Sequence, residues 1–382
     1  MIYVHIPFCR SFCTYCDFYS EVASRCSRDE REKFEIFSKA LSAEAALRAD
    51  EISDQVNTLY IGGGTPSVLP LSVFEDLLRV LGESGHTGPF DEFTVEVNPE
   101  DIVEKGGAYV DGLLRLGVNR ISMGVQSFDD GILRWMNRRH DSATARKAYG
   151  ILEGAGVQNI SIDLIFGLPQ LSDAQWRETL DKALSISSKG QLPKHISSYQ
   201  LSVEPGSALA QLVERGAWTE ASEELCARQY ALLCERLRDA GYHHYEISNF
   251  AQPGYEAVHN SAYWSHVPYV GLGPGAHSYL YGRSRQWNEP DLSMYIMAAQ
   301  KGDFSLVRGS EDLDDEQIAL EHIMLGLRTS AGLPEEYLHE HCDHAAMQEA
   351  LSCGNLVSLQ DGFVRIPESC FFISDTIISS LL

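Results

Sequence analysis

Six short apolar runs between residues 2 and 201 are separated by helical patterns, and this rhythm narrows the fold more than any other feature of the chain. The runs cover 2–6, 56–61, 93–97, 120–125, 160–165 and 195–201. They have strand length and are rich in β-branched and aromatic residues. Helical patterns are predicted over 28–47, from about Pro70, up to Leu116, through Trp135, over 142–155 and over 173–187. In the first of them Phe34, Phe37, Leu41 and Ala45 share a face. Such alternation requires a parallel sheet with helical crossovers. Six strands by about residue 205 predict an α/β fold, a partial (β/α)6 TIM-type barrel, with a doubly wound sheet as the alternative. Both bind ligands at the C-terminal ends of their strands. GGGTPS at 62–67, Glu96, Gln126 and Asp163 fall there.

Beyond about residue 206 the rhythm changes. A helix over 220–240 leads into a stretch rich in Gly, His and aromatic residues, through 242–250, 259–264 and 271–279. A polar linker is expected over 301–315, then a helix through Leu327 and two short helices. Asp361-Gly362 between apolar runs reads as a hairpin turn. The division expected is 1–205 for the barrel, 206–300 for an extension and connecting segment, and 301–382 for a small helical α+β domain resembling a winged helix.

Cys9, Cys13 and Cys16 form C-x3-C-x2-C directly after the first strand. Cys26, Cys226, Cys234, Cys342, Cys353 and Cys370 stand singly. An odd number of cysteines, nine, with no paired framework fits a reducing cytoplasm. Three thiolates on one loop can hold a soft metal or an iron–sulfur cluster. Structural zinc usually takes four ligands from two C-x2-C knuckles, and no second knuckle exists. A three-cysteine 4Fe–4S cluster leaves one iron open to a non-protein ligand. The remaining alternatives are three unliganded cysteines and a catalytic thiol, for which no partner base stands nearby.

The glycine turn can simply reverse the chain. Three glycines before Thr65-Pro66 also leave backbone bare for the approach of a ligand. Their spacing is neither a Walker A loop nor G-x-G-x-x-G. The net charge of −24 speaks against a nucleic-acid binder, and the acidic balance of 330–382 against a DNA-binding role for the winged-helix-like part. No apolar run approaches the roughly 18 residues of a membrane-spanning helix. A strand and a cysteine loop stand where a signal peptide would.

C-x3-C-x2-C after a first strand, together with Gly-Gly-Gly-Thr-Pro, resembles the radical S-adenosylmethionine (SAM) superfamily. YVHIPFCRSFCTYCDF at 3–18, EVNPE at 96–100, ISMGVQSFDD at 121–130, DLIFGLP at 163–169, YEISNFAQPGYE at 245–256, HNSAYW at 259–264 and GLGPGAHSY at 271–279 narrow the likeness. They resemble the branch of the oxygen-independent coproporphyrinogen III oxidases and the HemW heme chaperones, over nearly the whole chain. The resemblance implies that Cys9, Cys13 and Cys16 ligate a 4Fe–4S cluster and that SAM chelates its fourth iron. Reduction would then cleave SAM to a 5′-deoxyadenosyl radical. It further implies SAM contacts from Gly63, Gly64, Thr65, Glu96, Gln126, Arg138 and Asp163, with Tyr3 and Tyr15 flanking the cluster. A guanidinium suits a carboxylate and an acid at a strand end suits ribose hydroxyls. The plainer alternatives are that Arg138 is a solvated helix end and that Glu96 and Asp163 cap helices.

Two departures from the oxidase pattern stand out. Phe18 replaces the fourth cysteine of that pattern, and Tyr3 lies near the start of the chain rather than after a longer segment. With His259-Asn260-x-x-Tyr263-Trp264, these resemble the HemW group, implicated in heme binding and delivery. A cysteine usual before the His-Asn pair is missing, since Glu256, Ala257 and Val258 stand there. The resemblance implies heme as a ligand, with His259 beside aromatics as a candidate axial ligand and His277 as a weaker one. Its implied partners are a heme acceptor protein and an electron donor, with no nucleic acid and no transmembrane segment. Peripheral membrane association stays open, as does the choice of monomer or cluster-dependent dimer. The alternatives are an oxidase or another radical SAM enzyme acting on a tetrapyrrole, and a zinc-containing barrel without redox chemistry.

Overall fold

Period-two alternation in the strands decides what faces the inside of this molecule. The computed structural model describes residues 1–23, 29–52, 57–86 and 88–382. Cys26 and the expected element starts at Arg28 and Val56 lie outside the described residues. Strands β1 (Ile2–Ile6), β2 (Thr58–Gly63), β3 (Glu92–Val97), β4 (Arg120–Gln126), β5 (Asn159–Phe166) and β6 (His195–Gln200) lie side by side in sequence order, all parallel. Sequential order without a switch point is the barrel solution rather than the doubly wound one. Leu59 and Ile61, Phe93 and Val95, Ile121 and Met123, and Ile162 and Leu164 are buried. Their neighbours Tyr60, Glu96, Ser122 and Asp163 line the barrel's hollow.

The returning helices are α1 (Asp29–Leu47), α2 (Leu71–Glu83), α3 (Pro99–Arg115), α4 (Ser142–Gly154), α5 (Asp173–Leu184) and α6 (Glu223–Asp239). In α1, Phe34, Phe37, Leu41 and Ala45 are buried, as their spacing predicts. Each large apolar side chain buried this way contributes about 1.5–3 kcal/mol. Ser172 and Gln175 form a reciprocal capping box at the start of α5. Ser222 caps α6, which starts at Glu223 rather than 220.

Both edges of the sheet are extended by chain from beyond residue 205. β7 (His243–Glu246) and β8 (Asn249–Ala251) form an antiparallel hairpin on β6. β9 (Val270–Leu272) pairs in parallel with β1 at the other edge, completing a nine-stranded sheet among the described residues. A buried charge network holds that edge. Glu44 of α1 accepts bonds from the Gly273 N–H (2.8 Å), Asn288 Nδ2 (2.8 Å) and Tyr295 OH (2.7 Å). Arg48 donates to the Gly271 carbonyl at 2.8 Å.

A three-stranded antiparallel sheet follows, from β10 (His277–Leu280), β11 (Ser284–Asn288) and β12 (Arg308–Asp312). This corrects the expected polar linker over 301–315. Phe304 and Val307 are buried, and β12 keeps its polar side chains because that sheet is half exposed. The C-terminal unit packs helices Asp315–Gly326, Glu335–His341, His344–Cys353 and Ser374–Leu381 around β13 (Leu333–Pro334), β14 (Val357–Ser358) and β15 (Phe363–Arg365). The Asp361-Gly362 turn joins β14 to β15 as an antiparallel hairpin. The Ile247 N–H bonds the Arg328 carbonyl at 3.1 Å, and the Ser330 N–H bonds the Tyr245 carbonyl at 2.9 Å, tying the unit to the barrel. Among the described residues no helix is long and apolar enough to cross a membrane.

Candidate functional site

The inward strand positions enclose a cavity of about 550 Å³. The cysteine loop closes one end, and Asn260, next to the His259 that bonds Thr58 at the start of β2, lies at the other. Cys9, Cys13, Tyr15, Cys16, Gly63, Gly64, Thr65, Glu96, Gln126, Arg138 and Asp163 all line it. Tyr3 and His259 do not.

Several bonds hold the loop open over the cavity. Residues Phe8–Cys9 pair with Glu21–Val22. The Thr14 N–H bonds the Met136 carbonyl at 3.2 Å, Thr14 Oγ1 donates to the Trp135 carbonyl at 2.9 Å, and Asn137 Nδ2 donates to the Phe12 carbonyl at 2.7 Å. The glycine turn has a close-packing reason as well as a ligand-binding one. The Gly64 N–H bonds the Ile6 carbonyl at 2.8 Å, and a Cβ there would lie 2.8 Å from the Phe8 carbonyl oxygen and 3.1 Å from Cys9 Sγ. Gly63 has φ +105° and lies under the His5 ring, 2.6 Å from where a Cβ would be. Only glycine lets the second strand come this close to the cysteines.

Burial pushes the Cys9 thiol up, against its contact with Thr65 Oγ1 at 3.4 Å, and raises Cys16 to about 12. Arg138 Nη1 donates to Cys13 Sγ at 3.4 Å. Its Nη2 donates to Asn98 Oδ1 (2.6 Å) and the Gly124 carbonyl (2.8 Å), while its Nε is buried without a partner. Arg138 is therefore part of the cavity wall and not a solvated helix end. Beside it, Gln126 has φ +66°, at a bulge between β4 and β5. A non-glycine residue in that region is strained, and such strain concentrates at functional sites.

Two carboxylates face each other across the floor. Burial raises Glu96 to about 7, although its carboxylate accepts from Tyr60 OH (2.7 Å) and the Gly63 N–H (3.1 Å). Asp163 is raised by burial too, opposed by Ser197, Arg120 and Ser122; Ser122 Oγ donates to it at 3.1 Å. Neither caps a helix. Arg120, 2% exposed, supplies the positive charge between them. Sequence reasoning passed over Tyr60, Asn98, Arg120 and Ser122. The signal was the same alternation, since Tyr60 and Ser122 stand two positions before Gly62 and Gly124.

Tyr3 and His5 share the inward face of β1 with their register partners Tyr60 and Gly62, the Tyr3 hydroxyl lying 3.1 Å from His5 Nδ1 and its ring 6.1 Å from that of Tyr60. Tyr3 lines a second hollow that adjoins the first and shares Asp17 and Phe18 with it. His259 is 1% exposed. Its Nδ1 lies 2.8 Å from Thr58 Oγ1 and its Nε2 3.1 Å from Tyr263 OH, so both ring nitrogens are engaged.

The donor set suits an iron–sulfur cluster with a ligand beside it. Three thiols edge the cavity, a glycine cradle runs below them and an arginine nitrogen is left over. Among the described residues no three His, Cys, Asp or Glu side chains converge on a place for a single metal ion. Residues 3–183 match the model of the radical SAM superfamily. The structure of coproporphyrinogen III oxidase (HemN) from Escherichia coli, a radical SAM enzyme, superposes with a TM-score of 0.80. The match covers 99% of this chain and 89% of that one at 21% identity, a likeness of fold. The heme chaperone HemW of Synechocystis is 34% identical over 87% of this chain and 78% of its own length, and that of Bacillus subtilis 35% over 88% and 86%. Radical S-adenosyl methionine domain-containing protein 1, mitochondrial, of Danio rerio is 30% identical over 100% of this chain and 86% of its own. Barrel, cysteine loop and family model together define a radical SAM fold. Within that superfamily the chain belongs to the HemW family.

Proposed function

We propose that this chain is a heme chaperone, binding heme and passing it to an acceptor protein, on a radical SAM fold that carries a 4Fe–4S cluster and SAM. The observation that carries the reading is identity of about a third to heme chaperones HemW along 87–88% of the chain. Phe18 supports it, because the oxidase pattern has a cysteine at that place.

Cys9, Cys13 and Cys16 would hold three irons of the cluster, with SAM at the fourth. Bound there, the cluster supplies one-electron reducing power. Arg138, already aimed into the cavity, suits the SAM carboxylate. Gly63, Gly64 and Thr65 offer a backbone edge to its methionyl part. Glu96 suits the ammonium group, and Gln126 and Asp163 suit ribose hydroxyls. Tyr15 lies beside the cluster cysteines. The setting we infer is the cytoplasm, where thiols stay reduced. A reductant protein and a heme acceptor are the implied partners.

Anaerobic titration of the cluster-loaded protein with hemin tests this directly. A saturable Soret band is expected, with transfer of the heme to an added apo-acceptor. In parallel, coproporphyrinogen III with SAM and reductant should yield no protoporphyrinogen. Absence of any defined heme complex would sink the chaperone reading, and turnover of coproporphyrinogen would replace it with the oxidase.

A further inference from the structure

The hollow that receives Tyr3 has a volume of about 430 Å³ and lies against β1, β10 and β11. Ligand sites usually span about 300–1,000 Å³. We propose that this hollow is the seat of the heme, with His277 as the axial ligand to iron. The assignment rests on the heme-chaperone reading and deepens it by naming the site.

The walls are the first reason. Tyr3, Phe18, Tyr263, Tyr269 and Trp287 all face the hollow. Tyr263 and Tyr269 meet edge to face, their centroids 4.6 Å apart. A flat macrocycle stacks favourably on such rings. Asp17 is the one carboxylate among the lining residues, and it stands exposed at the rim. Little fixed charge would therefore be buried with the heme, and its propionates would stay at the open mouth in water.

His277 is the second reason. It stands exposed at the start of β10, and among the described residues no hydrogen bond occupies either ring nitrogen. His5, in the same hollow, bonds the Tyr19 carbonyl through Nε2 at 2.8 Å and lies against Tyr3 through Nδ1. His259 is committed at both nitrogens. The His277 ring is held in place by Trp287, centroids 6.2 Å apart and planes 25° apart. Trp287 in turn sits over Gly309, where a Cβ would come within 2.3 Å of the indole. Partial desolvation of the ring against the hollow and the charge of Arg285 lower the His277 pKa, which keeps a nitrogen lone pair free at neutral pH. Phe18 borders both this hollow and the barrel cavity, so the heme would sit one loop away from the cysteines.

The test is a hemin titration of the cluster-loaded full chain, comparing it with His277→Ala and His277→Cys. Exposure of His277 means both variants should fold, which circular dichroism checks. His277→Ala is expected to weaken hemin binding roughly tenfold or more and to move the Soret band. Free imidazole should restore the original band in His277→Ala. His277→Cys should show the distinct spectrum of a thiolate ligand. An unchanged Soret position in His277→Ala overturns the assignment, whatever the affinity, and leaves the chaperone reading standing. If the unsubstituted chain forms no heme complex, that reading falls first and this one with it.

Discussion

Two hollows share one loop, and they are built in opposite ways. The barrel cavity is polar, walled by alternate residues of parallel strands, with Glu96, Asp163, Arg120 and Arg138 converging on it. The second hollow is aromatic, walled by the inward face of β1 and by chain some 260 residues away. The first suits a small zwitterion with a carboxylate, an ammonium and hydroxyls. The second suits a large flat apolar ring. Cys16-Asp17-Phe18-Tyr19 runs between them, so the cluster loop of one is a wall of the other. The chemistry that suits a cofactor and the chemistry that suits a cargo thus occupy separate hollows that adjoin on one inward face of the sheet.

Removing a cysteine is the harshest way to break that separation. Cys13→Ala, and equally Cys9→Ala or Cys16→Ala, should abolish bound iron and sulfide outright, measured after anaerobic reconstitution. Hemin affinity should stay within about twofold, as additivity at separated sites requires. Heme binding lost together with the cluster would show that the two hollows are one site. Glu96→Gln is next in size. Loss of a charge-assisted bond of about 1.5–3 kcal/mol should weaken SAM binding roughly 10- to 100-fold by calorimetry. The pH dependence follows in sign. Glu96 titrates near 7 in the folded chain, so below that it is a neutral acid and a poor partner for an ammonium. SAM affinity should rise between about pH 6 and pH 8 and flatten in Glu96→Gln. A flat profile in the unsubstituted protein would remove Glu96 from the SAM contacts.

The two hollows also differ in how far they can be read from sequence. The barrel cavity is legible because strand ends are local: C-x3-C-x2-C, GGGTPS, Glu96, Gln126 and Asp163 each announce themselves within a few residues. Their meeting follows from parallel alternation alone. The aromatic hollow depends on β9 pairing with β1, a contact between residues 2–4 and 270–272. Gly271 and Gly273 hide that strand, since glycine weakens strand propensity. What secures the edge is Glu44, buried in a helix whose apolar stripe drew attention to its other residues. Tyr3 pairs in register with Tyr60 on the inward face of the sheet, which places it where the two hollows adjoin.

A second buried carboxylate sharpens what the cavity does for Glu96. Glu246 on β7 is fully buried, near the amides of Ser248 and Asn249 but with both oxygens lacking a hydrogen-bond partner. Burial raises it from 4.5 to about 7, as it does Glu96. Glu246 lines neither of the two hollows described above. Because the folded value lies above the unfolded one, the native state holds the proton longer. That contribution to stability is complete below about pH 4.5 and is lost as pH climbs toward 7. Glu246→Gln should therefore add about 1–2 kcal/mol to unfolding free energy at pH 8 and almost nothing at pH 4. Chemical denaturation at the two pH values measures it, and an equal effect at both would mean the carboxylate is not the source.

The smallest effect expected is at Phe18, and it tests the partition itself. The residue is 63% exposed and borders both hollows. Phe18→Ala removes little buried area, so stability should change by no more than about 0.5 kcal/mol. An aromatic contact to a bound macrocycle is worth about 0.5–1.5 kcal/mol, so hemin affinity should fall roughly two- to tenfold. SAM meets the cavity through backbone and charged groups, and its affinity should not move. Phe18 then acts on the cargo side alone, which is what replacing a cysteine by an aromatic at this position would accomplish. Equal losses for hemin and SAM would instead make Phe18 a common lid, and the two hollows would have to be treated as one connected chamber.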